Sequence, residues 1–350
     1  MNSEIVTVAA TLPAATSHLE SGCPEDAVDI DRGQLPELSI IIVNWNSLDY
    51  LIRCIESIFA NRPEVPFEIV VVDNASPEGG LESLADRFPS VRLIRSETNL
   101  GFAGANNVGF RHSRGQYILL LNPDTKVIGS AISLMLNQLR ALPDAGIVGS
   151  TLLNSDLTVS TTSIQKFPTI LNQLLTAEWL RLRLPALPLW DIAPLFRENK
   201  GPVKVEVIPG ACMMLKRDVF ERAGMFTEDY FMYAEDIDLN LKVSRLGFSS
   251  YYIADARIIH HGGCSSTQQA VSQWSTVMVQ RAMLRFFRRN HGKTYAMGFR
   301  LAMGISAVGR LVILLLARPF SHKQKIQWAA EKWSIVLKWS LGFKQLESSR

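Results

Sequence analysis

The sequence predicts an α/β fold: a single Rossmann-like, mostly parallel sheet flanked by helices, followed by an amphipathic helical extension. Three observations carry this. Short β-branched runs alternate with helical periods between Leu38 and Leu121, the order of a parallel nucleotide-binding layer. The runs end on polar residues, at Asn44, at Asp73 and at Asn122-Pro123-Asp124, and open α/β sheets bind ligands outside the carboxyl ends of their strands. Beyond residue 270 the pattern gives way to Trp and Phe interleaved with Lys and Arg, which fits a helix lying in a membrane interface.

Taken in order, Leu38–Val43 is apolar without alternation, fit for a strand buried on both faces. Asn46 or Ser47 can cap the helix that follows to Ala60, where Leu51, Ile55, Ile58 and Phe59 share a face. Glu68–Val72 is the second strand and ends at Asp73-Asn74-Ala75-Ser76. A helix over 79–88 and a strand over 91–95 follow, then a helix opened by Asn99–Asn107 and a strand over 117–121. The pattern continues with a helix over 129–141 and a strand over 146–149. Residues 151–202 show no clean period and are expected to form an insertion on the acceptor side. Strands are expected over 203–208 and 211–215, a helix from Glu235 to Leu246 and a strand over 250–254.

The chain of 350 residues carries 47% apolar and 20% charged residues, enough for a sizeable core and against overall disorder. Its net charge of +3 hides an asymmetry: from Arg281 onward there are 14 Lys/Arg and 2 Asp/Glu, a surplus of +12, which leaves −9 for residues 1–280. The acidic part suits metal-assisted chemistry and the basic tail an anionic surface. Four cysteines (Cys23, Cys54, Cys212, Cys264) are scattered without paired spacing, which fits a reducing compartment and argues against structural zinc. Residues 1–36 lack a basic run followed by an apolar core and are expected to be a flexible leader. The remaining chain divides into a catalytic domain over 37–270 and a helical extension over 271–350.

Two readings of Asp124 stand side by side: a cap for a following helix, or a ligand for a hard cation that bridges phosphate oxygens. Glu235 and Asp236 lie among Tyr230, Phe231, Met232, Tyr233, Ile237 and Leu239. Partial burial and a neighbouring acid both raise a carboxyl's pKa, which suits a general base. Asp238 is two residues on and faces elsewhere. His260 and His261 precede Gly262 and Gly263, and a neutral imidazole can complete a metal site. Asp73 can accept from a base imide or a ribose hydroxyl, and Gly101 and Gly104 allow backbone contact with phosphate. There is no G-x-G-x-x-G after the first strand and no P-loop.

The order of SIIIVNWNS (39–47), VVVDNAS (70–76), NLGFAGANNVG (99–109), LLLNPDT (119–125), IPGACMMLKRDVF (208–220), FMYAEDIDL (231–239) and HHGGCSS (260–266) resembles glycosyltransferase family 2, in particular its bacterial rhamnosyltransferase-like branch. The resemblance spans roughly residues 37–290. It implies a GT-A fold, inversion at the transferred sugar and a requirement for Mg²⁺ or Mn²⁺. By the same likeness Asp124 ends a D-x-D-like metal turn whose first acid is here Asn122. Asp236 is then the catalytic base with Glu235 beside it, and His260 is a metal ligand with His261 as the alternative. Asn44, Asn46, Asp73 and Asn99, together with Gly101, Phe102, Asn106, Asn122 and Asp124, are the residues expected to bind the nucleotide sugar.

The implied donor is a nucleoside diphosphate sugar, dTDP-rhamnose being favoured, and the implied acceptor is a glycan or lipid-linked hydroxyl in cell-surface polysaccharide synthesis. Leu301–Ala317 is strongly apolar but carries Arg310, which costs about 3 kcal/mol at the centre of a spanning helix. Peripheral attachment to an anionic membrane, on the cytoplasmic face of the inner membrane, is therefore expected in place of nucleic-acid binding. Two other functions are weighed against this one. A nucleotidyltransferase on the same fold needs a glycine-rich basic loop after the first strand, where Asn44-Trp45-Asn46-Ser47 stands. A non-catalytic scaffold of a polysaccharide assembly has no need of Asp124, Glu235, Asp236 and His260 together.

Overall fold

A computed structural model describes residues 5–8, 35–77, 79–175, 178–198, 201–262, 270–317 and 323–343. Most of the expected leader, Gly263, Cys264 and Lys344 lie outside the described residues. The chain divides into two units. One comprises Met1–Phe167, Asp191–Phe231 and Glu235–Ser265, the other Pro168–Trp190, Met232–Ala234 and Ser266–Arg350.

The first unit is built on one ten-stranded sheet. Its strands in chain order are β1 (Ile5–Val8), β2 (Leu38–Asn44), β3 (Phe67–Asp73), β4 (Arg92–Ser96), β5 (Tyr117–Leu121), β6 (Thr125–Ile128), β7 (Ala145–Leu153), β8 (Val203–Val205), β9 (Cys212–Lys216) and β10 (Ser249–His260). The spatial order is β1-β4-β3-β2-β5-β9-β7-β10-β6, with β8 also on β10. From β1 to β5 every pairing is parallel. Antiparallel pairing begins at β9, which lies between β5 and β7.

The helices of this unit are α1 (Leu48–Ala60), α2 (Leu81–Arg87), α3 (Gly101–Arg111), α4 (Ala131–Ala141), α7 (Arg217–Arg222) and α8 (Glu235–Arg245); α5 (Ile170–Leu174) and α6 (Glu178–Arg183) belong to the other. Residues of β2 alternate between two apolar layers. Ile40 and Ile42 join the large cluster with Leu51 and Ile55 of α1 and Leu84 of α2. Val43 joins Val72, Ala105 and Val108, on the face covered by α3. Covering both faces is what lets β2 be buried along its whole length. A Cβ at Gly109 would stand 2.5 Å from Ile41 Cγ2, so its absence sets how closely α3 approaches the sheet.

Several expectations are corrected. Ile5–Val8 of the supposed leader pairs in parallel with β4. Strand β6 was not anticipated, because Pro123-Asp124 reads as the start of a helix. Its burial alternates residue by residue, as a half-covered edge strand requires. Strand β7 runs on to Leu153, inside the expected insertion, and β10 continues past Ala254 to His260. Ser47 occupies the N-cap position of α1, but its hydroxyl donates to Asn44 Oδ1 and caps nothing.

The second unit holds α5 and α6 with three long helices: α9 (Ala270–His291), α10 (Lys293–Ala317) and α11 (Lys323–Ser340). Phe287 of α9 packs on Phe299 of α10 with ring centroids 4.8 Å apart. Arg300 of α10 donates to the carbonyls of Trp339 and Ser340. Arg310 lies 4.4 Å over the Trp333 ring and donates to Leu174 O at 2.7 Å. Helices α10 and α11 are therefore antiparallel. By length and composition α10 is the one helix among the described residues able to cross a membrane.

Candidate active site

Strand register builds the first part of the site. Asn44 and Asp73 are partners at the ends of β2 and β3, and Asn44 Nδ2 donates to Asp73 Oδ1 at 3.0 Å. Ser76 closes the loop: its amide donates to Asp73 Oδ2 at 3.4 Å, and its hydroxyl accepts from Asn44 Nδ2 and the Asn46 amide. Asn44 is thus a strut that holds the buried Asp73 in place. Asn46 has φ of +50°, and its Oδ1 is buried without a hydrogen-bond partner among the described residues. A buried acceptor left this way is costly unless a ligand donor reaches it.

Next to it, Asn99 Oδ1 accepts from the Gly101 amide at 2.9 Å and from Asn74 Nδ2 at 3.0 Å. The Phe102 amide donates to Phe231 O at 3.0 Å. Gly101, with Gly104, was expected to offer its backbone to phosphate, but the Gly101 amide is used within the protein, as is that of Phe102. Gly101 is needed for another reason. Its φ is +70°, and a Cβ there would stand 2.2 Å from Phe231 O. Gly101→Ala is expected to cost more than about 3 kcal/mol, a backbone clash added to a left-handed conformation. A fall in the denaturant midpoint of the purified variant would read this. Asn106 is 2% exposed and donates to Phe102 O within α3, which makes it a strut inside that helix.

The third part lies beyond β5. The Asn122 amide donates to Ala211 O at 3.0 Å, and Thr125 Oγ1 donates back to Asn122 O at 2.7 Å, closing a tight turn. Cys54 Sγ underlies it, 3.4 Å from Thr125 Oγ1. Asp124 is followed by β6 and not by a helix, so the capping reading falls. Because β6 and β10 are antiparallel, Thr125 pairs with His260. That register sets His260 Nε2 3.3 Å from both Asp124 Oδ1 and Asn122 Nδ2.

His261 parts company with its neighbour. Its amide donates to Asp124 O, its Nδ1 lies 2.9 Å from Ser155 Oγ, and its ring meets Tyr50 at 5.6 Å. Of the two histidines, only His260 faces the carboxylate. Among the described residues there is no cluster of three or more His, Cys, Asp and Glu. The donor set still suits a hard cation. Two ligands about 2.1 Å from an octahedral ion stand about 3 Å apart, and Mg²⁺ takes one or two protein groups with the rest from phosphate and water.

The fourth part is α8. Asp236 Oδ2 accepts from the Gly210 amide at 3.0 Å and Oδ1 from the Ile237 amide at 2.8 Å. Burial pushes its carboxyl above the usual aspartate range in spite of those two donors. A Cβ at Gly210 would meet the Phe102 ring at 3.2 Å and Asp236 Cβ at 3.5 Å, so this glycine lets Asp236 and the ring close on one another. Gly210 also adjoins Ala211, whose carbonyl holds Asn122. Through this turn Asp236 and the Asp124–His260 pair share one sheet edge. Glu235 is buried beside it. Asp238 turns away, accepting from Thr227 Oγ1 at 2.7 Å and from the Tyr230 hydroxyl.

One residue escaped sequence reasoning. Asn240, 1% exposed, accepts at Oδ1 from the Ile208 amide and the Ser250 hydroxyl. Its Nδ2 donates to Ile208 O and Asp236 O. It fastens α8 to the turn that carries Gly210. Its only outward sign was an amide where a helix facing a sheet should be apolar. Asn240→Ala strands several buried polar groups, and a loss of about 2–4 kcal/mol in a urea melt is expected.

Fold and site together define an enzyme of the GT-A glycosyltransferase kind. The family model for glycosyl transferase family 2 matches residues 39–224, and the chain belongs to that family. It is 27% identical over 252 residues to an N-acetylglucosaminyl-diphospho-decaprenol L-rhamnosyltransferase of Mycobacterium tuberculosis, covering 67% of this chain and 79% of that one. A rhamnosyltransferase of Escherichia coli K12 is 26% identical over 63% of this chain and 82% of its own. These relatives support the rhamnosyltransferase-like branch. Among solved structures, a mannosyltransferase from Pyrobaculum calidifontis, in complex with GDP-Man and Mn²⁺, aligns over 91% of this chain and 90% of its own. Its TM-score is 0.55 at 16% identity, a likeness of fold. Asp236 and His260 lie beyond the matched 39–224.

Proposed function

We propose that the chain transfers a sugar, with rhamnose favoured, from a nucleoside diphosphate donor to a hydroxyl of a glycan or polyprenyl-linked acceptor, with inversion. The observation that carries this reading is a half-buried, proton-seeking carboxyl at Asp236, held by the Gly210 amide next to Ala211, whose carbonyl holds Asn122 of the turn that bears the Asp124–His260 pair. Asp236 accepts the acceptor's hydroxyl proton while that oxygen bonds to the anomeric carbon. The bond from that carbon to the diphosphate breaks on the opposite face, and its electron pair leaves with the diphosphate. Asp124 and His260 would hold Mg²⁺ or Mn²⁺, which when bound neutralises charge growing on the diphosphate. Asp73 and Asn46 offer acceptor oxygens to the nucleoside. The named relatives favour rhamnose and a lipid-diphosphate acceptor, reached at the cytoplasmic face of an anionic membrane.

A donor screen tests this. Release of nucleoside diphosphate with Mn²⁺ or Mg²⁺, its loss in EDTA and its return on adding metal are expected, fastest with dTDP-rhamnose. Pyrophosphate as the product would point instead to nucleotidyl transfer, and donor binding without turnover to a scaffold. Asp236 acts as a base only when ionised, so the rate falls as pH drops through its pKa. Burial raises that pKa, so the acid limb of kcat against pH is expected above the range of an ordinary aspartate.

A further inference from the structure

Helix α10 is two-faced. Ala296, Phe299, Met303 and Ala307 are buried, on the side that packs against α9 and α11. Met297, Leu301, Ile305, Val308, Val312 and Leu315 recur every three or four residues on the opposite side, 49–67% exposed. An uncovered apolar seam of this length is unusual on a water-facing surface. Just before it, Arg281, Arg285 and Arg288 stand at i, i+4 and i+7 on the exposed side of α9. Residues 270–317 contain no Asp or Glu.

We propose that α9 and α10 form an in-plane dock for an anionic bilayer: the seam of α10 sinks into the acyl boundary, the α9 arginines bind lipid phosphates, and α10 does not span. The charge pattern selects the partner, since α9 and α10 together carry cations and no acid beside their apolar seam, which complements an anionic interface. The packing selects the mode. Helix α11 runs antiparallel along α10, tied to it through Arg300 and Arg310, and carries Glu331, Lys332 and Lys338 exposed. Were α10 to cross the hydrocarbon, those charges would enter with it, at high cost. Lying flat keeps them in water. This deepens the reading of a lipid-borne acceptor by naming the element that brings the enzyme to it.

The test uses the full chain and vesicles without any donor, so its outcome is separate from that of the turnover assay. Sedimentation with phosphatidylglycerol vesicles is expected to be strong and salt-sensitive, and weak with phosphatidylcholine alone. Replacing Arg281, Arg285 and Arg288 by Gln is expected to lower partitioning about 100-fold at low salt. Replacing Leu301, Ile305 and Val312 by Ser should lower it as well, with circular dichroism and the thermal melt unchanged. Mode is read by depth. Leu301→Cys, Val308→Cys and Leu315→Cys are labelled with a fluorophore in a background with Cys23→Ser and Cys264→Ser. The thiols of Cys54 and Cys212 are buried and pushed up to about 12, so they stay unlabelled. Equal, shallow quenching by brominated acyl chains at all three sites is the expected result. Quenching deepest at Val308, equal binding to neutral and anionic vesicles, or serine variants that lose self-association with vesicle binding intact would each overturn the proposal.

Discussion

Asp236→Asn is expected to lower kcat by about 10²–10⁴-fold, the usual worth of a positioned general base, while donor affinity stays near that of the parent enzyme. Asparagine keeps the shape and one acceptor oxygen for the Gly210 or Ile237 amide, so the turn and α8 should hold. What it loses is proton affinity. The separation of effects is the informative part: a fall in kcat with unchanged donor binding marks a group that acts on the acceptor's proton. A variant retaining most of its rate would remove Asp236 from that role. The part of the acid limb that belongs to this carboxyl should vanish with the residue. Thermal stability at neutral pH should not fall. Burial raises the folded pKa, so ionising this carboxyl weighs against the fold above its unfolded value, and asparagine escapes that penalty.

Asp124→Ala should weaken metal-dependent donor binding by at least about 100-fold, since a cation on a diphosphate supplies several kcal/mol. Calorimetric titration of the donor with Mn²⁺ and with EDTA reads it directly. The parent should bind tightly only with metal, whereas the variant should show the same weak affinity in both. The fold is not at stake, because the backbone oxygen of residue 124 still accepts from the His261 amide and Thr125 still closes its turn. Unchanged affinity would take Asp124 out of the metal site. His261→Ala is the matched control. Its ring faces Ser155 and Tyr50, and its removal should leave the metal dependence intact.

The parallel half of the fold was legible because it is local chemistry: β2, β3 and β5 are runs of Ile, Val and Leu that stop at polar residues. The antiparallel half was less so. Strand β6 is four residues long behind a proline, and nothing in its own letters says that it pairs with β10. That pairing is what separates His260 from His261, a choice that adjacent identical residues cannot reveal. Asp124 and Asp236 could be found as acids in apolar company, but their convergence depends on Asn122 meeting Ala211 and Gly210 meeting Asp236, contacts across long stretches of chain. Gly101 was misread for a physical reason. A glycine at a helix start has the same appearance whether its amide greets a phosphate or a neighbouring carbonyl, and only the approach of Phe231 decides.

The Asn240 clasp bears on how sugar-transferring enzymes of this kind can be recombined. Its four bonds reach Ile208, Asp236 and Ser250, so the turn at 208–210 and the start of α8 travel as one module. A chimera that imports 206–212 from a relative but keeps the native 235–241 would set two halves of a lock from different keys. Exchanged together, the two stretches should carry Asp236 and its hydrogen bonds intact into a new host.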